Sequence, residues 1–402
     1  MFVAKVPLSI RGQPRLNAIK PSATAPKRRK LSLFAVAAPR RSSEQASTSA
    51  NSPLLPRNDK GEPWVVQRSR PRRNRKTNAV REMVRENVVS PGNLVYPVFI
   101  HDEGHDEDID VMPGCKRLSI QSLLKHAAQA LDLGIGHIIL FPKIEEHLKS
   151  NTADECYNPK GLVPSAIKAL KEKFGSRITV WTDIALDPYS DQGHDGIVSN
   201  DSLGDGGCAR ILNDETVEQL CRQALCHARA GADIVAPSDM MDGRVGAIRD
   251  ALDEEGSTDV SIVSYAAKYA SSFYGPFRGA LDSAPRETSR APRDKKTYQM
   301  DPGNAREALR EAAADLEEGA DMLLVKPGVP YLDIIHLLYD AFPVPIAAYH
   351  VSGEYAMIKA AAQRGWIDEK QVVLETLLSL KRAGATSILT YYALEAAKWM
   401  QE

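Results

Sequence analysis

Four aspartates lie at the end of one apolar run in the middle of the chain. Residues 178–184 are rich in β-forming side chains, and Asp183, Asp187, Asp191 and Asp195 come at the end of this run and in the polar segment after it. Carboxylates this close repel one another unless positive charge lies between them. They suit a hard cation, which prefers oxygen ligands, or a cationic substrate. A solvated acidic loop is the alternative.

Two lysines are candidates for covalent chemistry. Lys326 directly follows the apolar run at 322–325, and Lys268 comes just past a second apolar segment at 259–265. Desolvation and a second nearby cation both disfavour a charged ammonium, so we expect a lowered pKa for Lys326. A neutral lysine amine attacks a ketone and forms a Schiff base. For either lysine alone, a salt bridge or a phosphate contact is the alternative.

A basic segment between the two lysines could bind a carboxylate. Residues 273–300 form a long polar insertion, which could close over a bound anion and exclude water. A solvated basic loop is the alternative. Imine-forming lysines, a cationic loop and an acidic cluster together suggest a small keto acid that also carries an amine. The cations of the insertion are Arg278, Arg286, Arg290, Arg293, Lys295 and Lys296.

Short apolar strands alternate with amphipathic helices and predict the scaffold that positions these residues. The pattern favours an α/β fold, a (β/α)8 TIM barrel over residues 91–402. A doubly wound open sheet is the alternative, but no GxGxxG motif follows the first strand. Active sites of such barrels lie at the C-terminal ends of the strands, which is where the candidate residues occur. The strands are expected at 93–100, 137–142, 178–184, 232–238, 259–265, 320–327, 344–350 and 385–392.

The start of the chain differs in composition from the rest. Residues 1–50 contain ten Lys/Arg and one acidic residue, Glu44, which is typical of an organelle transit peptide. We predict a transit peptide or a disordered basic tail at 1–55. An arm at 56–90 follows, whose basic run could contact nucleic acid or an acidic neighbouring subunit. No apolar stretch reaches about 18 residues and the five cysteines include no CxxC pair, so neither a membrane span nor a disulfide framework is expected.

Six longer motifs resemble one known family. DIALDPYSDQGHDGIV, PSDMMDGRVGAIR, SYAAKYASSFYGPFR, KKTYQMDP, LLVKPGVPYLDI and VSGEYAMIKA resemble the δ-aminolevulinic acid dehydratase (porphobilinogen synthase) family in its plant and algal chloroplast form. The resemblance implies that two 5-aminolevulinate molecules condense to porphobilinogen with loss of two waters, in chlorophyll and heme synthesis. It also implies a homo-oligomer, typically an octamer, whose N-terminal arms contact neighbouring subunits, without a nucleic-acid or membrane partner.

The resemblance assigns roles to individual residues. It implies that Lys326 and Lys268 form the Schiff bases. Arg278 and Lys295 would hold one substrate carboxylate. Ser352 and Tyr391 would hold the other. Asp183 and Ser238 are expected to orient the substrates or to carry protons.

The acidic segment indicates the type of metal. Zinc-dependent members of the family carry three cysteines where this chain has Ala185, Asp187 and Asp195, and carboxylates select harder ions than thiolates do. The resemblance therefore implies Mg2+ as the cofactor, with Glu311 at the position of the regulatory magnesium. Asp187 and Asp195 could belong to a metal site, or they could steer the ammonium of the substrate instead.

The chain departs from the usual plant pattern in three places. Extra length is expected near 199–212 and in the loop 287–292, and His350 stands where plant members more often have Gln. The two longer segments leave the named residues intact and are expected to affect lid closure and the turnover rate. One alternative function is an aldolase-type lyase, which needs only one imine-forming lysine. The other is a catalytically silent paralogue that serves as a structural or regulatory subunit of the oligomer.

Overall fold

The computed structural model describes residues 69–199, 209–286 and 291–402. The chain separates into two units, residues 1–73 and 74–402, and the strands described below belong to the second unit. The transit peptide expected at 1–55 lies outside the described residues. Of the arm expected at 56–90, the structure describes residues 69–90, which include a 3-10 helix at Pro71–Arg75. The two expected insertions are described only in part.

Eight parallel strands form a closed barrel within the described ranges. Each strand pairs with the next along the chain, and the last pairs with the first through Leu94↔Ile388 and Val95↔Leu389. The predicted (β/α)8 barrel is therefore confirmed. The strands are β1 (Leu94–Ile100), β2 (His137–Pro142), β3 (Thr179–Ile184), β4 (Ile234–Pro237), β5 (Ser261–Lys268), β6 (Met322–Lys326), β7 (Ile346–His350) and β8 (Ser387–Thr390).

The strands are almost continuous apolar runs because helices cover one face of the parallel sheet and the barrel interior covers the other. In β1, six of the seven residues are buried. The observed strand ends differ from the predicted ones by a few residues. The largest difference concerns β5, which continues to Lys268, so this lysine is the last residue of the strand and does not lie beyond it. Tyr391 directly follows β8.

The helices pack around the barrel through amphipathic faces. In the helix after β1, the Ser119 side chain caps the first turn by accepting from the Ser122 N–H, and Leu123, Ala127 and Ala130 face the core. None of the described helices combines the length and apolar character that a membrane span requires. The helices are α1 (Asn78–Met83), α2 (Ile120–Asp132), α3 (Leu162–Phe174), α4 (Asn213–Ala230), α5 (Arg244–Glu254), α6 (Gly275–Leu281), α7 (Arg306–Glu317), α8 (Leu332–Ala341), α9 (Ser352–Gln363), α10 (Glu369–Ala383) and α11 (Ala393–Gln401).

Candidate active site

The two lysines predicted to react lie side by side at the barrel mouth. Lys268 ends β5 and Lys326 ends β6, and their Cα atoms are direct partners in the parallel register. Neighbouring strands lie about 4.8 Å apart, and register partners point to the same face of the sheet. Both side chains are buried. The structure therefore brings the two amines to one rim of the barrel.

Lys326 lies in a cage of aromatic rings. Its Nζ is 4.7 Å from the ring centroid of Tyr349, 4.8 Å from that of Phe277, and slightly farther from Tyr274 and Tyr265. Burial lowers the pKa of Lys326 from 10.5 to about 7, and the positive charge of Lys268 acts in the same direction. The expected lowering of this pKa is confirmed. A substantial fraction of the amine is thus neutral at physiological pH, as nucleophilic attack requires.

Lys268 and Lys295 form a buried ionic cluster with two of the predicted aspartates. The Lys268 ammonium donates to the Ser238 carbonyl oxygen and lies 3.5 Å from Asp195 Oδ1. Lys295 Nζ is 3.2 Å from Asp187 Oδ2 and 3.2 Å from Asp195 Oδ2. Burial opposes ionisation of Asp195, but Lys268 and Lys295 hold its pKa well below its ordinary value. Two ammonium groups therefore balance two carboxylates in this cluster.

Asp183 has different surroundings from the other two carboxylates. Its carboxyl group lies deep in the mouth, and desolvation raises its pKa to about 7 although Lys326 and Lys268 both act to lower it. The Ser238 side chain also acts to lower the pKa of Asp183. A group with a pKa near the working pH can both accept and return a proton, so Asp183 suits the role of proton carrier.

The predicted carboxylate-binding residues fall into two groups. Arg278, on α6, is close enough to Lys295 to lower its pKa, although Asp187 and Asp195 outweigh both burial and Arg278 and raise the pKa of Lys295 overall. Ser352 and Tyr391 lie on the Lys326 side. Ser352 Oγ accepts from the backbone N–H of the cage residue Phe277 (3.0 Å). The Tyr391 hydroxyl is 2.9 Å from that of Tyr349, another cage residue.

The helix that carries Arg278 is fixed at its C-terminal end by cations that sequence reasoning missed. Arg117 donates to the carbonyl oxygens of Gly279 (3.1 Å) and Ala280 (2.6 Å), and Lys149 donates to that of Asp282 (3.0 Å). Cations favour the C-terminal end of a helix, where carbonyl groups lack partners within the helix. These contacts tie α6 to the segments that follow β1 and β2.

Sequence reasoning also missed the aromatic cage and a bridging carboxylate. Tyr274 and Phe277 lie beside Arg278 in the insertion, which was interpreted only through its cations. Glu354 is buried and accepts from the backbone N–H groups of Val329 (2.8 Å) and Val351 (2.7 Å). It thereby joins the loops after β6 and β7. The usual sequence signal for such a carboxylate, Ser or Thr three residues earlier, is missing because Val351 occupies the N-cap of α9.

The residues proposed for metal binding do not meet in one place. Asp187 and Asp195 each have a lysine partner, so lysines already balance their charge in this structure. Among the described residues there is no group of three or more His, Cys, Asp or Glu side chains that could hold a metal ion. Glu311 lines a cavity of about 950 Å3 with Glu307 and Asp242. Burial and the nearby acid Asp315 raise its pKa, so a cation would be favourable there, and Mg2+ needs only one or two carboxylates besides water.

A closed parallel barrel whose mouth holds paired, desolvated lysines has the geometry of an enzyme that acts on carbonyl compounds. The family model for delta-aminolevulinic acid dehydratase matches residues 68–399. The chain belongs to this family, which is metal-dependent. Membership of this family excludes the aldolase-type lyase, which was one of the two alternative functions considered from the sequence.

Individual relatives agree with the family assignment. The chain is 54% identical over 352 residues to the chloroplastic delta-aminolevulinic acid dehydratase of Physcomitrium patens, covering 87% of this chain and 78% of the relative. It is 55% identical over 337 residues to that of Chlamydomonas reinhardtii, covering 83% and 84%. A crystal structure of the Toxoplasma gondii enzyme with its product porphobilinogen matches with 57% identity and a TM-score of 0.81, covering 86% of this chain and 95% of that one.

The buried position of Lys326 predicts that this lysine destabilises the fold. Its pKa is about 7 in the folded chain against 10.5 ordinarily, so between these values the unfolded chain binds more protons and stability rises with pH. We expect Lys326→Met to raise the free energy of unfolding at pH 7 by about 2–4 kcal/mol, and the gain to shrink toward pH 10. Urea unfolding at pH 7 and pH 9.5 measures both. A variant less stable than the parent at pH 7 would contradict this explanation.

Proposed function

We propose that this chain condenses two molecules of 5-aminolevulinate into porphobilinogen with loss of two waters, as a lyase of chloroplast tetrapyrrole synthesis. The observation that carries the proposal is the register pairing of Lys268 with Lys326 at the mouth of the barrel. Two adjacent amines can bind two ketones at once, which a reaction between two identical keto acids requires. The reactants are thereby held next to each other before a bond forms between them.

The chemistry follows from the surroundings of each lysine. Lys326 attacks the ketone of one substrate as the neutral amine. Lys268 attacks the other ketone after its ammonium has lost a proton, for which Asp183 is the available acceptor, and formation of each imine releases one water. A protonated imine withdraws electrons, so a proton on the adjacent carbon can leave without an organic cofactor. Asp183, with Ser238 beside it, accepts and returns protons. The enamine carbon formed in this way attacks the imine carbon of the other substrate, and the lysine on that carbon leaves as the adjacent carbon loses a proton. The amine of one substrate then attacks the remaining imine carbon, closes the ring and displaces the second lysine, and loss of a ring proton gives the pyrrole.

Each substrate carboxylate has its own set of binding residues. Arg278 and Lys295 would hold the carboxylate of the molecule bound to Lys268. Ser352 and Tyr391 would hold that of the molecule bound to Lys326. Asp187 and Asp195 would steer the ammonium of a substrate, because their lysine partners already show that they bind ammonium groups. The arm at 56–90 would contact neighbouring subunits of a homo-oligomer, an octamer by analogy with the family.

One assay tests the proposed function. Purified protein is incubated with 5-aminolevulinate, and porphobilinogen is measured as a pyrrole that reacts with an aromatic aldehyde reagent. Borohydride is then used to reduce and trap imines on the protein, and peptide mass spectrometry locates them. We expect pyrrole formation and adducts at both Lys268 and Lys326. A protein that forms neither product nor adducts would be the silent paralogue.

Mg2+ is proposed as the cofactor, with Glu311 as its protein ligand and water as the remaining ligands. Bound there, the ion would supply positive charge beside the carboxylates of Asp242, Asp294 and Glu307, which line the same cavity. After chelation, we expect activity to fall and added Mg2+ to restore it. Glu311→Gln should lose at least about 5-fold of this activation and should bind Mg2+ more weakly in calorimetric titration. Glu307→Gln, in the same cavity, is the control; loss of the response in that variant alone would overturn the assignment.

A further inference from the structure

We propose that Lys295 is an internal substitute for the substrate ammonium and changes partners when 5-aminolevulinate binds. In the free site, Lys295 neutralises Asp187 and Asp195. In the occupied site, the ammonium of the substrate takes over these carboxylates, while Lys295 joins Arg278 at the carboxylate of the substrate. This inference rests on the proposed function and adds to it the origin of selectivity for an amino keto acid.

The contacts of Lys295 show that its position is already filled in the free site. Its Nζ lies 3.2 Å from Asp187 Oδ2 and equally far from Asp195 Oδ2, and all three side chains are buried. Lys295 therefore cannot bind a substrate carboxylate while it keeps both of these partners. If it leaves without replacement, two buried carboxylates lose one of their two cationic partners, and a buried charge without a partner is strongly unfavourable.

The substrate brings both charges that the exchange needs. 5-Aminolevulinate carries one ammonium and one carboxylate, so the number of ion pairs is kept when the ammonium replaces Lys295 and the carboxylate receives it. A keto acid without the amine would leave Asp187 and Asp195 short of positive charge. An amino ketone without the carboxylate would leave Lys295 without a new partner. Only a molecule with both groups completes the exchange without an uncompensated charge.

The backbone around Lys295 is held firmly, so the side chain is the part that moves. His194 is fully buried and contacts the segment on both sides of Lys295, with Nε2 2.8 Å from the Pro292 carbonyl oxygen and Nδ1 2.9 Å from the Tyr298 hydroxyl. The first contact makes Nε2 the protonated nitrogen, so Nδ1 accepts from Tyr298. A lysine on this fixed segment can change partners by rotation of its flexible stem, which an arginine with its planar fork does less easily.

Three ligands distinguish the proposed exchange of Lys295 partners from simple attraction of a substrate ammonium to Asp187 and Asp195. They are 5-aminolevulinate, levulinate, which lacks the amine, and aminoacetone, which lacks the carboxylate. Each carries the ketone, so borohydride trapping at Lys268 against ligand concentration gives an apparent affinity for each. In the unaltered protein we expect levulinate and aminoacetone to require at least about 100-fold higher concentrations than 5-aminolevulinate.

The variants have opposite expected effects on the truncated ligands. In Asp187→Asn, Lys295 is released more easily, so levulinate should bind at least about 5-fold more tightly while 5-aminolevulinate binds more weakly. In Lys295→Met, Asp187 and Asp195 no longer have Lys295 as a partner. The affinity for aminoacetone should therefore rise by a similar factor, while the affinity for 5-aminolevulinate should again fall. Asp233→Asn, which removes the partner of Lys171 (2.8 Å) at another site, should change none of the three affinities.

Two results would overturn the proposal in different ways. If levulinate and aminoacetone bind no more tightly in the variants than in the parent, the exchange is wrong, although Asp187 could still attract the ammonium. If no ligand gives an adduct at Lys268 in the unaltered protein, the proposed function itself is wrong. The proposed exchange of Lys295 partners is then wrong as well, because it depends on that function.

Discussion

Replacing Lys326 by methionine is expected to abolish porphobilinogen formation, with a loss of about 10^5-fold or more, the scale seen when a covalent nucleophile is removed. The thioether fills the aromatic cage formed by Tyr265, Tyr274, Phe277 and Tyr349 but cannot form an imine. Thioethers also pack well against aromatic rings, so the fold should survive. The measurements are pyrrole formation and borohydride trapping of the variant.

The control for this prediction is another lysine that lies over aromatic rings. Lys359 is 4.7 Å from the ring centroid of Tyr392 and 5.4 Å from that of Tyr355, on α9 and away from the paired lysines. It pairs with Glu369 and Glu395, so Lys359→Met tests loss of a lysine from an aromatic setting without loss of the nucleophile. Activity within about tenfold of the parent in Lys326→Met would rule out a covalent role for Lys326.

Replacing Lys268 by methionine is expected to lower product formation by about 10^3-fold or more, because only one of the two ketones can then be held as an imine. A single substrate adduct should remain, and it should be at Lys326. Lys268 is one of the causes that lower the pKa of Lys326, so its removal should raise that pKa. The pH at which trapping at Lys326 is half-maximal should therefore move upward from about 7.

This second prediction distinguishes paired from independent lysines. Borohydride trapping at Lys326 is measured from pH 6 to pH 10 in the parent, in Lys268→Met and in the control Lys171→Met, which removes a lysine whose partner is Asp233. An unchanged midpoint in Lys268→Met would mean that the two ammonium groups do not influence each other. Adducts at neither position would mean that Lys268 is needed before Lys326 can react.

The barrel could be predicted from sequence because buried parallel strands have a distinct pattern. The second strand was expected at 137–142, and β2 has these bounds, since residues 138–141 form an uninterrupted run of large apolar side chains. The end of β5 was placed three residues early because Ala266 and Ala267, which precede Lys268, have little β-propensity. Strand order followed from the alternation of strands and helices.

The details of the site could be predicted only in part. Strand ends indicated which residues reach the mouth, and the resemblance assigned roles to them. The register that pairs Lys268 with Lys326 and the cage around Lys326 depend on side-chain directions in elements distant in sequence. Lys295 lies about a hundred residues after the aspartates that it contacts, so local pattern could not reveal that its ammonium already occupies the place expected for a cation.

The contacts of Arg117 and Lys149 with the end of α6 have a kinetic consequence. The first substrate must remain until a second arrives and several covalent steps are complete, which favours a site that opens slowly. Hydrogen bonds from charged groups contribute about 1.5–3 kcal/mol each, and three of them hold the carbonyl groups at the end of this helix. We therefore expect that the escape of finished porphobilinogen, rather than bond formation, sets the turnover rate, and that a rapid burst of enzyme-bound pyrrole precedes the steady state.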